Sequence, residues 1–266
     1  MNSDTLSQYL SRIGLSKQPE VSVQGLKALH NAQHRAVPFE NFDVIAGKKI
    51  ATTADEIFNK VVTHQRGGYC FELNGLMLRV LSAIGFEARA LLGRVHLSGV
   101  PTGRGHQVSL VTLDDQQWLV DAGFGSQTPR HPLPLTMNTE LCTDLQTFRL
   151  VAHDLYGTML QVKDQQDWLD LYSFDMEEVC FGDIEYGNHF TSTSPNSVFT
   201  SAGIASIATE EGTVTLLNDL LKIKKGEQIT EIKLSNESEY FNQVKTYFGL
   251  ELDMPYQKIA QYFDVK

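Results

Sequence analysis

One cysteine stands where a thiol can act as a nucleophile. Cys70 follows Arg66-Gly67-Gly68, whose glycines end one predicted helix, and the apolar spacing from Leu73 onward predicts a new helix from Tyr69. A helix N-terminus supplies unpaired N–H groups and the positive end of the helix dipole, and both stabilise a thiolate. The pattern indicates a candidate nucleophile, with a small buried core residue as the alternative.

A base and an orienting acid for this thiol are predicted on a β-hairpin. His106 begins one predicted strand, Asp121 ends the next, and Asp114-Asp115 marks the turn between them. Residues whose numbers sum to about 229 then face each other, so both side chains come near the same end of the ribbon. An imidazole held by a carboxylate keeps the tautomer that activates a thiol. Cys70, His106 and Asp121 together predict a catalytic triad, although each singly also fits an ordinary strand-edge or core role.

The elements that must position these residues predict an α+β fold. Residues 1–85 show helical spacing that ends at Gly85, with Thr53 and Glu56 as a candidate capping box. Strand patterns follow at 88–97, 107–113, 117–121, 148–152, 159–162 and 168–172, and again at 204–208, 213–217, 221–224 and 228–234. Helical spacing returns over 239–248 and after Pro255. We therefore divide the chain into parts at 1–85, 86–198 and 199–266.

Composition excludes several classes of protein. The 266 residues are 42% hydrophobic and 20% charged, which is typical of a folded chain rather than a disordered one. The net charge of -10 and the lack of a long basic run argue against a nucleic-acid partner. No segment approaches the roughly 18 apolar residues of a membrane span, and residues 1–13 do not resemble a signal peptide.

The cysteines bear on compartment and metal content. Three occur, at Cys70, Cys142 and Cys180, and such a sparse, odd set favours reduced thiols and a cytoplasmic protein. Their spacing matches no zinc motif, so we expect no metal. The sequence leaves the oligomeric state open.

Four segments resemble one known family. Arg66–Gly75 (RGGYCFELNG), Val37–Asn41 (VPFEN), Val120–Gly125 (VDAGFG) and 188–199 are closely similar to motifs of the arylamine N-acetyltransferases, in matching order along most of the chain. The resemblance implies a helical bundle that carries the cysteine, an antiparallel β-barrel that carries the histidine and aspartate, and a C-terminal α/β lid, around a core like that of cysteine proteases. It also implies that Cys70 accepts an acetyl group from acetyl-CoA as a thioester. An arylamine or arylhydrazine then removes that group in a ping-pong cycle.

The resemblance also implies contact residues. The family's acceptor pocket corresponds here to Phe39, Val95, Phe124 and Phe199, and its backbone approach to CoA corresponds to Gly103, Gly105 and Gly125. Core packing and ordinary turn chemistry are the alternatives for these positions. Gly105 and Gln107 depart from the family, which often has a hydroxyl residue before the histidine and a bulky apolar residue after it.

Two other functions remain open at the level of sequence. A thiol hydrolase or a transglutaminase-like enzyme also uses Cys, His and Asp in this chain order. A non-catalytic protein that binds CoA or an aromatic ligand would instead carry an inert Cys70, which reacts no faster than a free thiol. A role in xenobiotic metabolism is implied by the resemblance alone.

Overall fold

A computed structural model of the protein describes residues 1–50 and 52–263. The N-terminal helices are α1 (Ser3–Arg12), α2 (Val23–Ala36), α3 (Phe42–Ile45), α4 (Ala54–Phe58) and α5 (Cys70–Ile84), and a π-helical turn at Asn59–Thr63 extends α4. Strand β1 (Phe39–Glu40) lies between α2 and α3. Helix α5 is buried along most of its length, so it forms the centre of this helical region.

An antiparallel, barrel-like sheet follows the helices. Its strands are β2 (Glu87–Val95), β3 (Arg104–Leu113), β4 (Gln116–Val120), β5 (Leu133–Pro134), β6 (Leu141–Thr143), β7 (Gln146–His153), β8 (Gly157–Asp164) and β9 (Asp167–Phe174), in the order β5-β4-β3-β2-β9-β8-β7-β6. A bridge between Met137 and Leu150 joins the chain beyond β5 to β7, so the sheet nearly closes. One face of β3 fills the barrel with Val108 and Leu110, while the other packs on α5 with Val111.

A second antiparallel sheet ends the chain. Strands β10 (Ile204–Ala208), β11 (Gly212–Leu217), β12 (Leu220–Lys225) and β13 (Gln228–Lys233) pair in sequence order, and β1 adds to the free side of β10. Helices α7 (Glu237–Phe248) and α8 (Gln257–Ala260) cover this sheet with a core of Tyr240, Val244 and Ile259. The sequence patterns did not predict that an N-terminal strand belongs to the C-terminal sheet.

The elements confirm the predicted α+β class. Ser109 pairs with Val120 and Leu110 with Leu119, which is the register that the Asp114-Asp115 turn predicts. The strand patterns missed helix α6 (Phe181–Thr193), because this helix buries only Asn188 and Thr191 and so has no apolar stripe. The described residues contain no helix long and apolar enough to cross a bilayer.

Candidate active site

Cys70 lies at the first position of α5. Tyr69 caps the helix in an extended conformation, and its N–H donates to Oε2 of Glu72 at 3.1 Å. The cysteine is 3% exposed, and its Sγ lies 3.7 Å from the carbonyl oxygen of Gly105. The thiol therefore sits at the helix N-terminus and against the start of β3, where the dipole favours negative charge on sulfur.

His106 and Asp121 form a buried pair beside this thiol. Nε2 of His106 lies 2.8 Å from Oδ2 of Asp121, which leaves the other ring nitrogen to hydrogen-bond the side chain of Cys70. Burial by itself lowers the pKa of His106, but the carboxylate of Asp121 and the side chain of Cys70 outweigh burial and raise it to about 10. The imidazole is therefore a cation at neutral pH.

The carboxyl group of Asp121 stays ionised in this buried position. Burial acts to raise its pKa, and the charge of His106 together with hydrogen bonds from Asn74 and Gly123 lowers the pKa below its ordinary value. The result is a buried series of cysteine, imidazolium and carboxylate side chains. Such an arrangement can hold a sulfur nucleophile and return a proton to a leaving group.

Asn74 holds the carboxylate of Asp121 and the backbone of β3 and of the segment that follows β4, and the sequence patterns did not single it out. It lies one helical turn after Cys70 on α5, and its Nδ2 donates to Oδ1 of Asp121 at 2.9 Å and to the carbonyl of Gln107 at 2.6 Å. Its Oδ1 accepts the N–H of Ala122 at 2.8 Å. The sequence signal that could have identified Asn74 is its spacing of four residues from Cys70, because residues four apart share a helix face.

His30 is a second residue that the sequence patterns did not single out, and it holds the backbone of Asp121. Nε2 of His30, on α2, lies 2.7 Å from the carbonyl oxygen of Asp121, and the imidazole is fully buried. A carbonyl only accepts, so Nε2 carries the hydrogen. Nothing in the local sequence around His30 points to a residue 91 positions away.

Cys70 and His106 lie in a cleft with a volume of about 870 Å³. The structure places every predicted contact residue in its walls: Phe39, Val95, Phe124, Phe199, Gly103, Gly105 and Gly125. Asp121 lies behind His106 and does not line the cleft. The walls are largely apolar and aromatic, which suits a flat aromatic ligand.

Aromatic contacts hold the walls together. The rings of Phe39 and Phe199 lie 5.8 Å apart between centroids, and the ring of Phe124 lies 4.8 Å from the imidazole of His106. The ring of Tyr172, from β9, lies 4.7 Å from the imidazole and 4.9 Å from the ring of Phe124, so the three rings pack against one another. The imidazole is therefore fixed by packing as well as by Asp121.

Helix α6 closes one side of the cleft and was not predicted to do so. It contributes Asp183, Tyr186, Phe190 and Thr191 to the lining. A side chain at Gly105 would come within 3.1 Å of the hydroxyl of Thr191, so the glycine that departs from the family makes room for α6. The hydroxyl group at this point of the cleft thus comes from α6 rather than from the residue before His106.

A buried ionic network braces the loop before Cys70. Arg66 donates to Oε1 of Glu40 at 2.7 Å, and Lys60 contacts both Asp43 and Glu72 at 2.8 Å. Glu40 is fully buried and also accepts the N–H of Phe42. Arg66 and Glu40 thus form a buried ion pair, and the network anchors the segment from 66 to 70.

Neither the geometry nor the donor types indicate a metal centre. Among residues 1–50 and 52–263, no group of three or more His, Cys, Asp or Glu side chains could hold a metal ion. The cysteines Cys70, Cys142 and Cys180 are all free thiols.

Known proteins share this sequence and this fold. A family model described as N-acetyltransferase matches residues 22–257. The arylamine N-acetyltransferase of Escherichia coli (strain K12) is 33% identical over 252 residues, which cover 93% of this chain and 89% of the relative. The solved structure of the Mycobacterium smegmatis arylamine N-acetyltransferase superposes with a TM-score of 0.93 at 30% identity, over 99% of each chain. A structure of the Mycobacterium marinum arylamine N-acetyltransferase in complex with CoA superposes with a TM-score of 0.87 at 31% identity, over 92% of each chain.

The fold and these similarities define the protein as an acyltransferase with an α+β architecture. The predicted family is thereby confirmed. The chain belongs to the arylamine N-acetyltransferase family.

Proposed function

We propose that the protein transfers an acetyl group from acetyl-CoA to the nitrogen of an aromatic amine or hydrazine, through a thioester on Cys70. The observation that carries the proposal is the buried Cys70, His106 and Asp121 arrangement at an apolar cleft of about 870 Å³. The names of the relatives support the acceptor class, and the CoA complex of the Mycobacterium marinum protein supports the donor.

The residues of the site have distinct roles in the proposed cycle. Cys70 attacks the acetyl carbonyl carbon as the thiolate, because His106 already holds the thiol proton; the carbon–sulfur bond to CoA breaks, and His106 gives that proton to the departing CoA thiolate. The amine nitrogen then attacks the thioester carbonyl, and the bond to Cys70 breaks. The amine proton passes to His106, which restores the starting charge state. Asp121 orients the imidazole throughout.

The walls divide between the two substrates. We assign the aromatic acceptor to Phe39, Val95, Phe124 and Phe199, because burial of an aromatic ring against flat apolar surfaces stabilises its binding. We assign CoA to the backbone at Gly103, Gly105 and Gly125, where the chain lines the cleft without side chains. Gly125 has a φ of 68°, a left-handed conformation that favours glycine. The three free thiols support a reducing compartment such as the cytoplasm.

Mass spectrometry of the intact protein tests this proposal. After mixing with acetyl-CoA and no amine, the wild-type chain is expected to gain one acetyl group, which an arylhydrazine then removes. Cys70→Ser should gain none, and Cys142→Ser, which replaces an exposed thiol, should behave as wild type.

Two outcomes would favour the rival functions. An acetyl group that disappears without any amine points to a thiol hydrolase. If no acetyl group forms and Cys70 alkylates no faster than a free thiol, the protein is a non-catalytic binder.

A further inference from the structure

A second cavity lies along helix α5, away from the cleft. Its volume is about 530 Å³, and it shares no lining residue with the cleft that holds Cys70. We call it the α5 cavity and define it by its lining residues: Met1, Thr52, Phe71, Gly75, Leu78, Arg79, Ser82, Ala83, Gln107, Phe181 and Ile184. This volume falls in the range of small-molecule sites.

The α5 cavity has a buried polar group in its wall that lacks a partner. Gln107 is 1% exposed, and its carboxamide oxygen accepts no hydrogen bond from any residue in 1–50 or 52–263. Ser109 is the next residue on the same face of β3, and its hydroxyl is also buried without a partner. Buried polar atoms are costly unless they are paired, so an unpaired carboxamide in the wall of a cavity indicates a ligand that pairs with it.

Helix α5 places no side chain over this carboxamide at position 75. Phe71, Gly75 and Arg79 recur every four residues and so share one face of the helix. A Cβ at Gly75 would lie 4.0 Å from the carboxamide atoms of Gln107, and glycine provides none. The carboxamide therefore lacks the cover that a side chain at position 75 would give it.

Arg79 supplies a positive charge to the same cavity. Its guanidinium donates to the carbonyl of Thr52 at 3.3 Å, and it forms no ion pair with a described carboxylate. The remaining walls include the aromatic rings of Phe71 and Phe181 and the side chain of Ile184. The cavity thus offers one cation, one buried acceptor and apolar sides.

We propose that the α5 cavity binds a small organic acid with an apolar body. Its carboxylate pairs with Arg79, and an O–H or N–H at its other end donates to Gln107. Four residues of α-helix, from Gly75 to Arg79, span about 6 Å, which matches one aromatic ring with polar groups at opposite ends. The site is independent of the proposed acetyl transfer.

Calorimetric titration with 4-hydroxyphenylacetate tests the site. This probe has a carboxylate and a phenolic O–H, and it has no amine to accept an acetyl group. Gln107→Leu and Arg79→Gln are each expected to weaken its binding about tenfold. Lys49→Gln is the matched control, because it removes the same charge from an exposed position and should bind the probe as wild type does.

A labelling experiment separates the α5 cavity from the cleft. In a chain with Cys142→Ser and Cys180→Ser, N-phenylmaleimide on Cys70 fills the cleft, and the probe should still bind with unchanged affinity. Loss of binding after labelling would place the probe in the cleft and overturn the proposal.

Three other results would also overturn it. No binding at millimolar probe means that the cavity holds water only. Wild-type affinity in Gln107→Leu would show that the carboxamide does not bind the probe. Wild-type affinity in Arg79→Gln would show that the guanidinium does not pair with the carboxylate of the probe. Because Arg79 is half-buried and Gln107→Leu introduces an apolar side chain into an apolar interface, both variants are expected to fold.

Discussion

At the level of single residues, one carboxylate decides the charge of the site. His106 is 2% exposed, and burial alone would leave its imidazole neutral at pH 7. Asp121 reverses this because it is itself ionised and lies 2.8 Å away. The charge of the imidazole, and with it the proposed activation of Cys70, depends on a side chain that does not line the cleft.

Replacing that carboxylate is expected to abolish most of the activity. Asp121→Asn keeps the shape but removes the charge, so the pKa of His106 falls well below about 10 and its tautomer is no longer fixed. We expect kcat/KM for acetyl transfer to fall by about 10³-fold or more. Steady-state kinetics with an arylhydrazine measures this effect.

The control for that experiment is Asp115→Asn, which changes an exposed turn residue between β3 and β4. It should retain wild-type kcat/KM. A tenfold loss or less in Asp121→Asn would contradict the proposed role of the carboxylate.

The same pair makes stability depend on pH. A histidine whose folded pKa is raised contributes stability that is fully present below about pH 6.5 and is lost as pH rises through about 10. Asp121 has a lowered pKa, so its contribution is present above about pH 4 and is lost in acid. Urea unfolding of wild type and Asp121→Asn should therefore differ most between about pH 4 and 6.5, and the difference should shrink toward pH 10. A constant difference across that range would contradict the assignment.

At the level of elements, helices α2 and α5 fix the acid from two sides. Asn74 on α5 holds the carboxylate and the following N–H, while His30 on α2 holds the carbonyl of Asp121. Burial lowers the pKa of His30 to about 4, and burial together with the charges of His30 and Arg130 lowers that of His34 to about 3. The neutral His30 therefore supports the backbone of the active site, and the neutral His34 lies beside it with its ring centroid 6.2 Å away.

These histidines are expected to make the protein acid-sensitive. The unfolded chain binds protons on them from about pH 6.5 downward and the folded chain does not, so stability falls as pH falls toward 4. His30→Gln keeps a donor for the carbonyl of Asp121 but removes the titrating group. Between pH 7 and 4.5 it should lose about 2 kcal/mol less unfolding free energy than wild type.

Urea denaturation at several pH values makes this comparison. His64→Gln, which removes an exposed histidine, is the control and should keep the full acid-induced loss. Equal losses in wild type and His30→Gln would show that His30 does not carry the effect.

At the level of the whole molecule, Asn41 joins distant parts of the chain. Its Nδ2 donates to the carbonyls of Phe199 and Ala202 at 2.8 and 2.7 Å, and its Oδ1 accepts the N–H of Ile204 at 2.7 Å. Asn41 follows β1, whose residues pair with β10. This carboxamide therefore places Phe199 against Phe39 in the cleft wall.

Removing the carboxamide of Asn41 should weaken the whole fold. Asn41→Ala leaves one buried and two part-buried backbone groups without this partner and is expected to cost about 3 kcal/mol of unfolding free energy. Asn242→Ala, at an exposed position on α7, should change stability by less than about 0.5 kcal/mol. Chemical denaturation of both variants at pH 7 provides the measurement, and a loss below about 1 kcal/mol in Asn41→Ala would contradict the bridging role.

The sequence determined the features that depend on neighbours along the chain. The glycines before Cys70 and the apolar spacing after it placed the start of α5, and the Asp114-Asp115 turn set the β3–β4 register. The residues of the proposed triad and the seven contact residues were all named from the sequence, mostly through the family motifs that contain them. The boundaries at 85 and 198 remain a prediction.

Only the tertiary structure decided the features that depend on contacts between distant segments. The hydrogen bond from His30 to Asp121, the addition of β1 to β10, the place of α6 over Gly105 and the cavity at Gln107 all join residues far apart in sequence. Local patterns depend on residues within about one helical turn or one hairpin, because backbone hydrogen bonds and side-chain faces repeat over that distance. Long-range partners are selected by the packing of the complete chain, so no local pattern reveals them.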